Sequence, residues 1–299
     1  KDHYIMTSTH IEHPEDMILT GDLSVIDALY DKAFISMKMD GMSLVWGTNP
    51  ANGKFFVCTK AAFNKKKVRL CYTVEDILTH FGHQIEVVDI LTNCLFHLPK
   101  TDKIYWGDWL GFGHTDVLTQ NTLTYAFPEA IDQKLVIAPH TVVNVYAEFC
   151  DSVCEPLTDS LEDTNMVKWI QPSVDRMPPQ TKAPKINKDM IKFLSEKEAY
   201  QAKLGINALI KSGQYLDDAT LTDILGCVHL ANLYQYVMEI KLDIMDSLII
   251  NDAPTAYLPS GNVAANGEGY VFHSECYGSV KLVNRTEFAY ANFNNGYGT

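Results

Sequence analysis

The stretch from Phe34 to Lys60, FISMKMDGMSLVWGTNPANGKFFVCTK, constrains the fold of this chain most. Phe34 to Lys38 alternates apolar and polar residues with the period of two that a half-buried strand shows. Ser43 to Gly47 has the composition of a second strand. Asn49-Pro50-Ala51-Asn52-Gly53 gathers turn-forming residues, and Lys54 to Thr59 resumes the strand pattern. The expectation is a hairpin system with Lys38-Met39-Asp40-Gly41 at a strand end. Gly41 permits a tight turn where backbone can approach a ligand. A lysine beside a carboxylate in a partly closed site acts as a nucleophile if its pKa is lowered. On an open surface the same four residues are an ordinary hairpin with one Lys–Asp pair.

The rest of the chain reads as an irregular mixture of strands and helices. Asp22 is the expected N-cap of a helix through Leu29. Ala61 to Arg69 is basic and loop-like. Thr73 caps the next helix, with Asp76 in the capping-box position. Val87, Ile90, Leu91, Cys94, Leu95 and Leu98 recur at helical spacing, and Pro99 ends that helix. Lys103 to Leu110, Thr122 to Phe127, Lys134 to Pro139 and Thr141 to Phe149 read as strands. Residues 151–186 read as a linker. Residues 187–250 read as a helical insert, with one helix from about Lys188 to Ser212 and one or two from Asp217 to Ser247, broken by Asn251-Asp252-Ala253-Pro254. Gly269 to His273 and Ser279 to Val283 return to strand before an Asn- and Gly-rich tail. Residues 1–150 and 251–299 are then two parts of one α+β domain.

Charge and cysteines limit the function classes. The net charge of −13 argues against a protein that coats nucleic acid, which needs a basic footprint. It leaves room for an enzyme with basic residues along one groove. Lys65-Lys66-Lys67 with Arg69 and the run Lys182 to Lys192 are local candidates, and solvated faces are the plainer reading of both. The seven cysteines are scattered, with only Cys150 and Cys154 close, which suits free thiols in a reducing cytoplasm better than a zinc site. His10, Glu12, His13, Glu15 and Asp16 are a conceivable metal cluster, more simply a solvated helix start. No apolar run is long enough to span a bilayer.

The ordered set Lys38-x-Asp40-Gly41, a strand carrying Gly107-Asp108, Glu268-Gly269-Tyr270-Val271 and a final strand with Lys281 resembles the covalent nucleotidyltransferase superfamily. That superfamily holds ATP-dependent DNA ligases, RNA ligases and mRNA capping enzymes. More narrowly, His13-Pro14-Glu15-Asp16, Trp46-Gly47-Thr48-Asn49-Pro50, Gly53 to Val57 and Lys281 to Arg285 look like uncharacterised ligase-like proteins of large tailed phages. The resemblance covers residues 10–150 and 255–293 and leaves out the helical insert.

The resemblance implies an ATP-grasp-like adenylation domain of DNA/RNA ligase type, with two mainly antiparallel sheets flanking a nucleotide cleft. It implies ATP with Mg2+ or Mn2+ as cofactors, and a nucleic-acid acceptor, RNA more than DNA, in the cytoplasm of an infected host cell. Lys38 becomes the nucleophile that carries AMP, and Lys281 the cation that lowers its pKa and steadies the transferring phosphate. Asp108 and Glu268 become metal ligands. Asp40 orients ribose or metal, Gly41 permits the ligand approach, and Lys60 and Arg285 contact phosphates. Tyr146, Phe149 and His140 compete as the residue that stacks on adenine. Asp108 stands where the family has Glu. Ser279 and Val283 stand where the last motif's second lysine would be. Eighteen residues follow Lys281, too few for an oligonucleotide-binding barrel, which favours an RNA-ligase-like or stand-alone transferase. Two rivals stay open: an adenylyltransferase acting on a protein or small molecule, and an inactive ligase-fold phage protein kept for structure or interaction.

Overall fold

The stretch Phe34–Lys60 does not close into a single hairpin. β1 (Ala33–Met37) belongs to one sheet, whereas β2 (Met42–Asn49) and β3 (Lys54–Cys58) pair in another. Lys38–Gly41 is therefore a crossing between sheets. Gly41 is required there, because a Cβ would stand 2.3 Å from the Trp109 carbonyl oxygen. The β2–β3 turn forms as its composition predicts: Asn49 Oδ1 accepts from the Ala51 N–H, Asn52 Oδ1 from the Lys54 N–H, and Gly53 has a φ of 69°.

This computed structural model describes residues 10–179, 181–289 and 291. The tail from residue 292 lies outside the described residues. The further strands are β4 (Ile104–Phe112), β5 (Val117–Leu118), β6 (Thr124–Ala126), β7 (Leu135–Asn144), β8 (Val153–Pro156), β9 (Val167–Trp169), β10 (Ser173–Arg176), β11 (Leu248–Asn251), β12 (Thr255–Tyr257), β13 (Tyr270–Ser274) and β14 (Gly278–Leu282). They make a five-stranded sheet, β11-β10-β1-β13-β14, a three-stranded sheet, β12-β6-β5, and a six-stranded sheet, β3-β2-β4-β7-β8 with β9 on β7. Pairing is antiparallel except for β7 with β9. The expected α+β class with antiparallel sheets is what the chain adopts.

The helices are α1 (Pro14–Met17), α2 (Ser24–Leu29), α3 (Val74–Phe81), α4 (Ile85–His97), α5 (Glu196–Lys211), α6 (Asp218–Leu225) and α7 (Val228–Ser247). The Thr73–Asp76 capping box opens α3 as expected. Asp22 does not cap α2: Leu23 is its N-cap, and the Asp22 carboxylate accepts instead from the hydroxyls of Ser24, at 2.5 Å, and Tyr277, at 2.6 Å. α5 starts later than Lys188 because Ser195 and Glu198 form a capping box there. Asp217 caps α6, and Gly226, at a φ of 73°, ends it.

Other boundaries differ from expectation for physical reasons. β7 runs through Pro139, the expected strand end, because the β4–β7 ladder is bulged at that point and asks no hydrogen bond of the proline. Residues 151–186, expected as a linker, carry β8 to β10, which extend both larger sheets. The apolar faces of α5 to α7 share one core with β1, β13 and β14, through Ile35, Ile206, Leu221, Tyr234, Val237, Phe272 and Leu282. A second core joins α3 and α4 to the six-stranded sheet through Trp46, Phe56, Ile77, Ile90, Leu91, Trp109 and Ile137. Among the described residues no helix is long and apolar enough to cross a membrane.

Candidate active site between two sheets

A cavity of about 310 Å³ opens between the five-stranded and six-stranded sheets. Lys38, Asp40, Gly41, Lys60, Asp108, His140, Glu268 and Lys281 all line it, although up to 243 positions separate them. The floor is the five-stranded sheet. Strand register places Ser36, Val271 and Lys281 in one row across β1, β13 and β14, and Lys38 follows Ser36 on the same face. The ladder continues one step past β1, with the Lys38 N–H donating to the Gly269 carbonyl at 2.9 Å. That step brings Lys38 Nζ to 3.0 Å from Glu268 Oε1. Gly269 is obligatory beside Glu268: its φ is 117°, and a Cβ would lie 2.3 Å from the Leu282 carbonyl oxygen.

The two lysines sit in different environments. Burial pulls the Lys38 pKa down, but Glu268, then Asp108 and Asp40, outweigh it, so the ammonium is held above its ordinary range. Burial and the neighbouring Lys38 charge lower the Lys281 pKa. Among the described residues Lys281 Nζ makes no ion pair within 4.0 Å; its backbone N–H donates to the Glu12 carbonyl at 3.0 Å. The expected lowering thus falls on Lys281 and not on Lys38.

The opposite wall is the six-stranded sheet. Trp106 and Asp108 lie two apart on β4 and so share a face. The bulge in β7 leaves His140 without a strand partner, which turns its ring against Trp106, with centroids 5.0 Å apart. His140 Nε2 is 3.5 Å from Asp108 Oδ2, and its Nδ1 contacts Thr141 Oγ1 at 2.6 Å. Burial, with the Glu268 charge second, pushes the Asp108 carboxyl up to about 8. Burial, then Lys38, brings His140 down to about 3. At neutral pH the His140–Asp108 contact is therefore not an ion pair. Lys60 lies 5.7 Å over the Trp106 ring at the cavity mouth.

Asp40 is tightly held, at 4% exposure. One carboxylate oxygen accepts from Asn121 Nδ2 at 2.9 Å, the other from the N–H groups of Thr122 and Leu123 at 2.8 and 2.7 Å. Its own N–H donates to the Tyr125 hydroxyl at 2.6 Å. Burial, with Glu268 second, raises its pKa to about 6 against the pull of those hydrogen bonds. Asp40 latches the β5–β6 loop rather than presenting free oxygens to a ligand.

Other expected residues lie elsewhere. Arg285 is 2% exposed and does not line the cavity. It is hydrogen-bonded to Asp16 (3.2 Å), the Tyr234 hydroxyl (2.8 Å) and Asn207 (2.6 Å), inside a buried cluster where Lys241 meets Glu15 at 2.5 Å. Glu15 and Asp16 are thus core residues and not a solvated helix start, which corrects that expectation. Tyr146 is 81% exposed and does not line the cavity; Phe149 is buried edge-on to Phe56. Of the three aromatic candidates only His140 faces the cavity. Cys154 is buried on β8, whereas Cys150 clusters with Glu148 and Asp151 at the surface. Trp106, Asn121 and His273 are cavity residues that the sequence did not single out. For Trp106 the signal was available, since it lies two residues before Asp108 on the same strand.

The donor set tests whether a divalent cation fits. Glu268 and Asp108 are hard oxygen groups, close enough that the charge of one raises the pKa of the other. Both offer hard oxygen atoms of the kind a divalent cation takes, with Asp108 giving up its proton as the cation binds and water completing the shell.

A family model described as a family of unknown function (DUF6267) matches residues 8–217 and 180–296. No curated protein and no solved structure matches the chain.

Proposed function

We propose that this chain, which belongs to that family of unknown function (DUF6267), is an ATP-dependent nucleotidyltransferase of RNA-ligase type that adenylylates itself on Lys38. One observation carries the reading: Lys38, Glu268 and Lys281, from opposite ends of the sequence, share one cavity, with the Lys38 amine 3.0 Å from Glu268. In this reading the antiparallel sheets on either side of the cavity are the halves of an adenylation domain. Trp106 and His140 are the aromatic wall for the base, and Lys281 and Lys60 face the phosphates.

Lys38 gives up one proton before it attacks, and Glu268 is the acceptor within reach. The Nζ–phosphorus bond forms as the bond from the α-phosphorus to its bridging oxygen breaks. Pyrophosphate leaves with that electron pair, and the amine sheds a second proton as the phosphoramide forms. Lys281 balances negative charge that builds on the phosphoryl oxygens. Glu268 and Asp108 would hold Mg2+, whose part is to neutralise the triphosphate. A polynucleotide 5′-phosphate then attacks the adenylyl phosphorus, and Lys38 leaves and recovers its protons. The exposed run Lys65 to Lys67, close after cavity-lining Lys60, supports a polyanionic acceptor in a chain whose net charge is −13.

The test is incubation with α-labelled ATP and Mg2+, then denaturing electrophoresis. Label should stay on the chain, require metal, vanish in Lys38→Ala and transfer to RNA bearing a 5′-phosphate. An unaltered chain that takes no label, or a Lys38→Ala variant that labels as well as the unaltered chain, refutes the assignment.

A further inference from the structure

The β5–β6 loop enters the cavity at one side chain, Asn121. Everything around it is pinned. The neck is closed by Thr119 Oγ1 and Thr124 Oγ1 at 2.7 Å. Leu123 is fully buried and Thr122 nearly so. The Asp40 carboxylate gathers the Thr122 and Leu123 N–H groups on one oxygen and leaves the other to Asn121.

That division fixes which way the Asn121 amide faces. An ionised carboxylate only accepts hydrogen bonds, so the amide must turn its NH2 group towards Asp40. The amide oxygen is then the atom left over. It makes no hydrogen bond to any described residue, although Asn121 is half-buried and lines the cavity. Facing the cavity, that carbonyl is open to water or to a ligand, and the pinned loop keeps its direction. Apart from the hydroxyls of Ser36, Ser43 and Thr141, the remaining polar lining of the cavity is charged or aromatic, suited to phosphate and to ring faces. Asn121 adds a neutral acceptor in a fixed direction, suited to the donating edge of a ligand.

We propose that Asn121 is the residue that reads the nucleoside: its side-chain oxygen accepts a hydrogen bond from an N–H or O–H donor of the bound nucleotide, and Asp40 is the positioning residue that aims it. This rests on the ATP reading above. Two donors on adenosine have the required chemistry, the exocyclic 6-amino group of the base and a ribose hydroxyl.

The experiment compares initial rates of labelling at low nucleotide concentration on the full chain. The probes are α-labelled ATP, its 6-oxo counterpart inosine triphosphate, and the 2′-deoxy and 3′-deoxy forms of ATP. The analogue that lacks the donor should label about tenfold more slowly, the factor a single neutral hydrogen bond is worth. Loss with the 6-oxo analogue assigns the base edge; loss with a deoxy analogue assigns the sugar. In Asn121→Ala, checked for an unchanged melting curve, that selectivity should collapse to within about twofold. Asn121→Leu, which keeps the size of the side chain and removes the acceptor, covers the case in which the Ala variant does not fold, and it too should lose the selectivity. Equal rates for all four nucleotides on the unaltered chain would overturn the role of Asn121 while leaving self-adenylylation intact. So would selectivity that survives in both variants. Failure of the unaltered chain to label with ATP would remove the parent reading, and this inference with it.

Discussion

Asp40→Asn separates the latch from the charge it carries. Asp40 is 4% exposed, and its pKa is raised from 3.8 to about 6, first by burial and then by the Glu268 charge. The sign follows from proton binding. Between those values the folded chain keeps a proton that the unfolded chain has lost, so stability falls as pH rises through the window. Below it both states are protonated, and the penalty vanishes. Above it both are ionised, and the penalty is complete. A shift of about two units at 1.36 kcal/mol each sets that penalty at roughly 3 kcal/mol. Asn keeps an oxygen for the Thr122 and Leu123 N–H groups and cannot ionise. Whatever constant offset the amide brings, the stability of Asp40→Asn relative to the unaltered chain should climb by roughly 2.5 kcal/mol from pH 4 to pH 7 and then level. Urea unfolding at closely spaced pH values measures this difference directly. A difference that stays flat to within about 0.5 kcal/mol, or that falls with pH, would refute the reasoning.

Two further predictions concern the buried charge cluster. Lys241→Met leaves Glu15 in the core with only the longer Arg285 contact, at 3.6 Å, and should cost roughly 3 kcal/mol in unfolding experiments; adding Glu15→Gln should return part of it. A loss below about 1 kcal/mol for Lys241→Met alone would mean the pair is not buried as described. Arg285→Lys keeps the charge but loses the forked contacts to Asp16, Tyr234 and Asn207. It should lower the melting temperature while leaving the ATP-induced shift in melting temperature unchanged. A selective loss of the ATP shift would restore Arg285 as a phosphate contact.

What could be read in the sequence was local. The alternation through Phe34–Lys38 and the capping box at Thr73 are set by near neighbours, so composition revealed both. The partners of β1 were not legible, because a run such as Phe34–Met37 accepts any edge of matching pattern, and both β10 and β13 are distant in sequence, β13 by more than 230 residues. The role of Arg285 was hidden for the same reason. A cation four residues after Lys281 looks like a second phosphate contact until Asp16, Tyr234 and Asn207 are known to surround it. The cavity face of His140 depends on a bulge at Pro139, and no one-dimensional pattern marks which ladder absorbs the extra residue.

The site is divided between two sheets, and the division predicts how kinetic defects should separate. Lys38, Glu268 and Lys281 belong to the five-stranded sheet, where ladder bonds and the Gly269 approach fix their spacing. Trp106 and His140 belong to the six-stranded sheet, packed on a different core. Asp108 apart, which would share the metal with Glu268, a change on the second sheet should then weaken nucleotide binding without moving the reacting pair. For Trp106→Leu, losing one aromatic face from a base is worth about 1–3 kcal/mol. That raises the ATP concentration for half-maximal labelling by roughly 5- to 150-fold. The rate at saturating ATP should hold within about threefold, the pattern of an interaction made equally in ground and transition states. Lys281→Ala should do the reverse, lowering the saturating rate far more than the affinity, because its charge is most needed as the phosphoryl oxygens gain charge. Single-turnover labelling across a range of ATP concentrations distinguishes the two. A saturating rate that collapses in Trp106→Leu would show that both sheets hold the reacting groups, and the division of labour would fail.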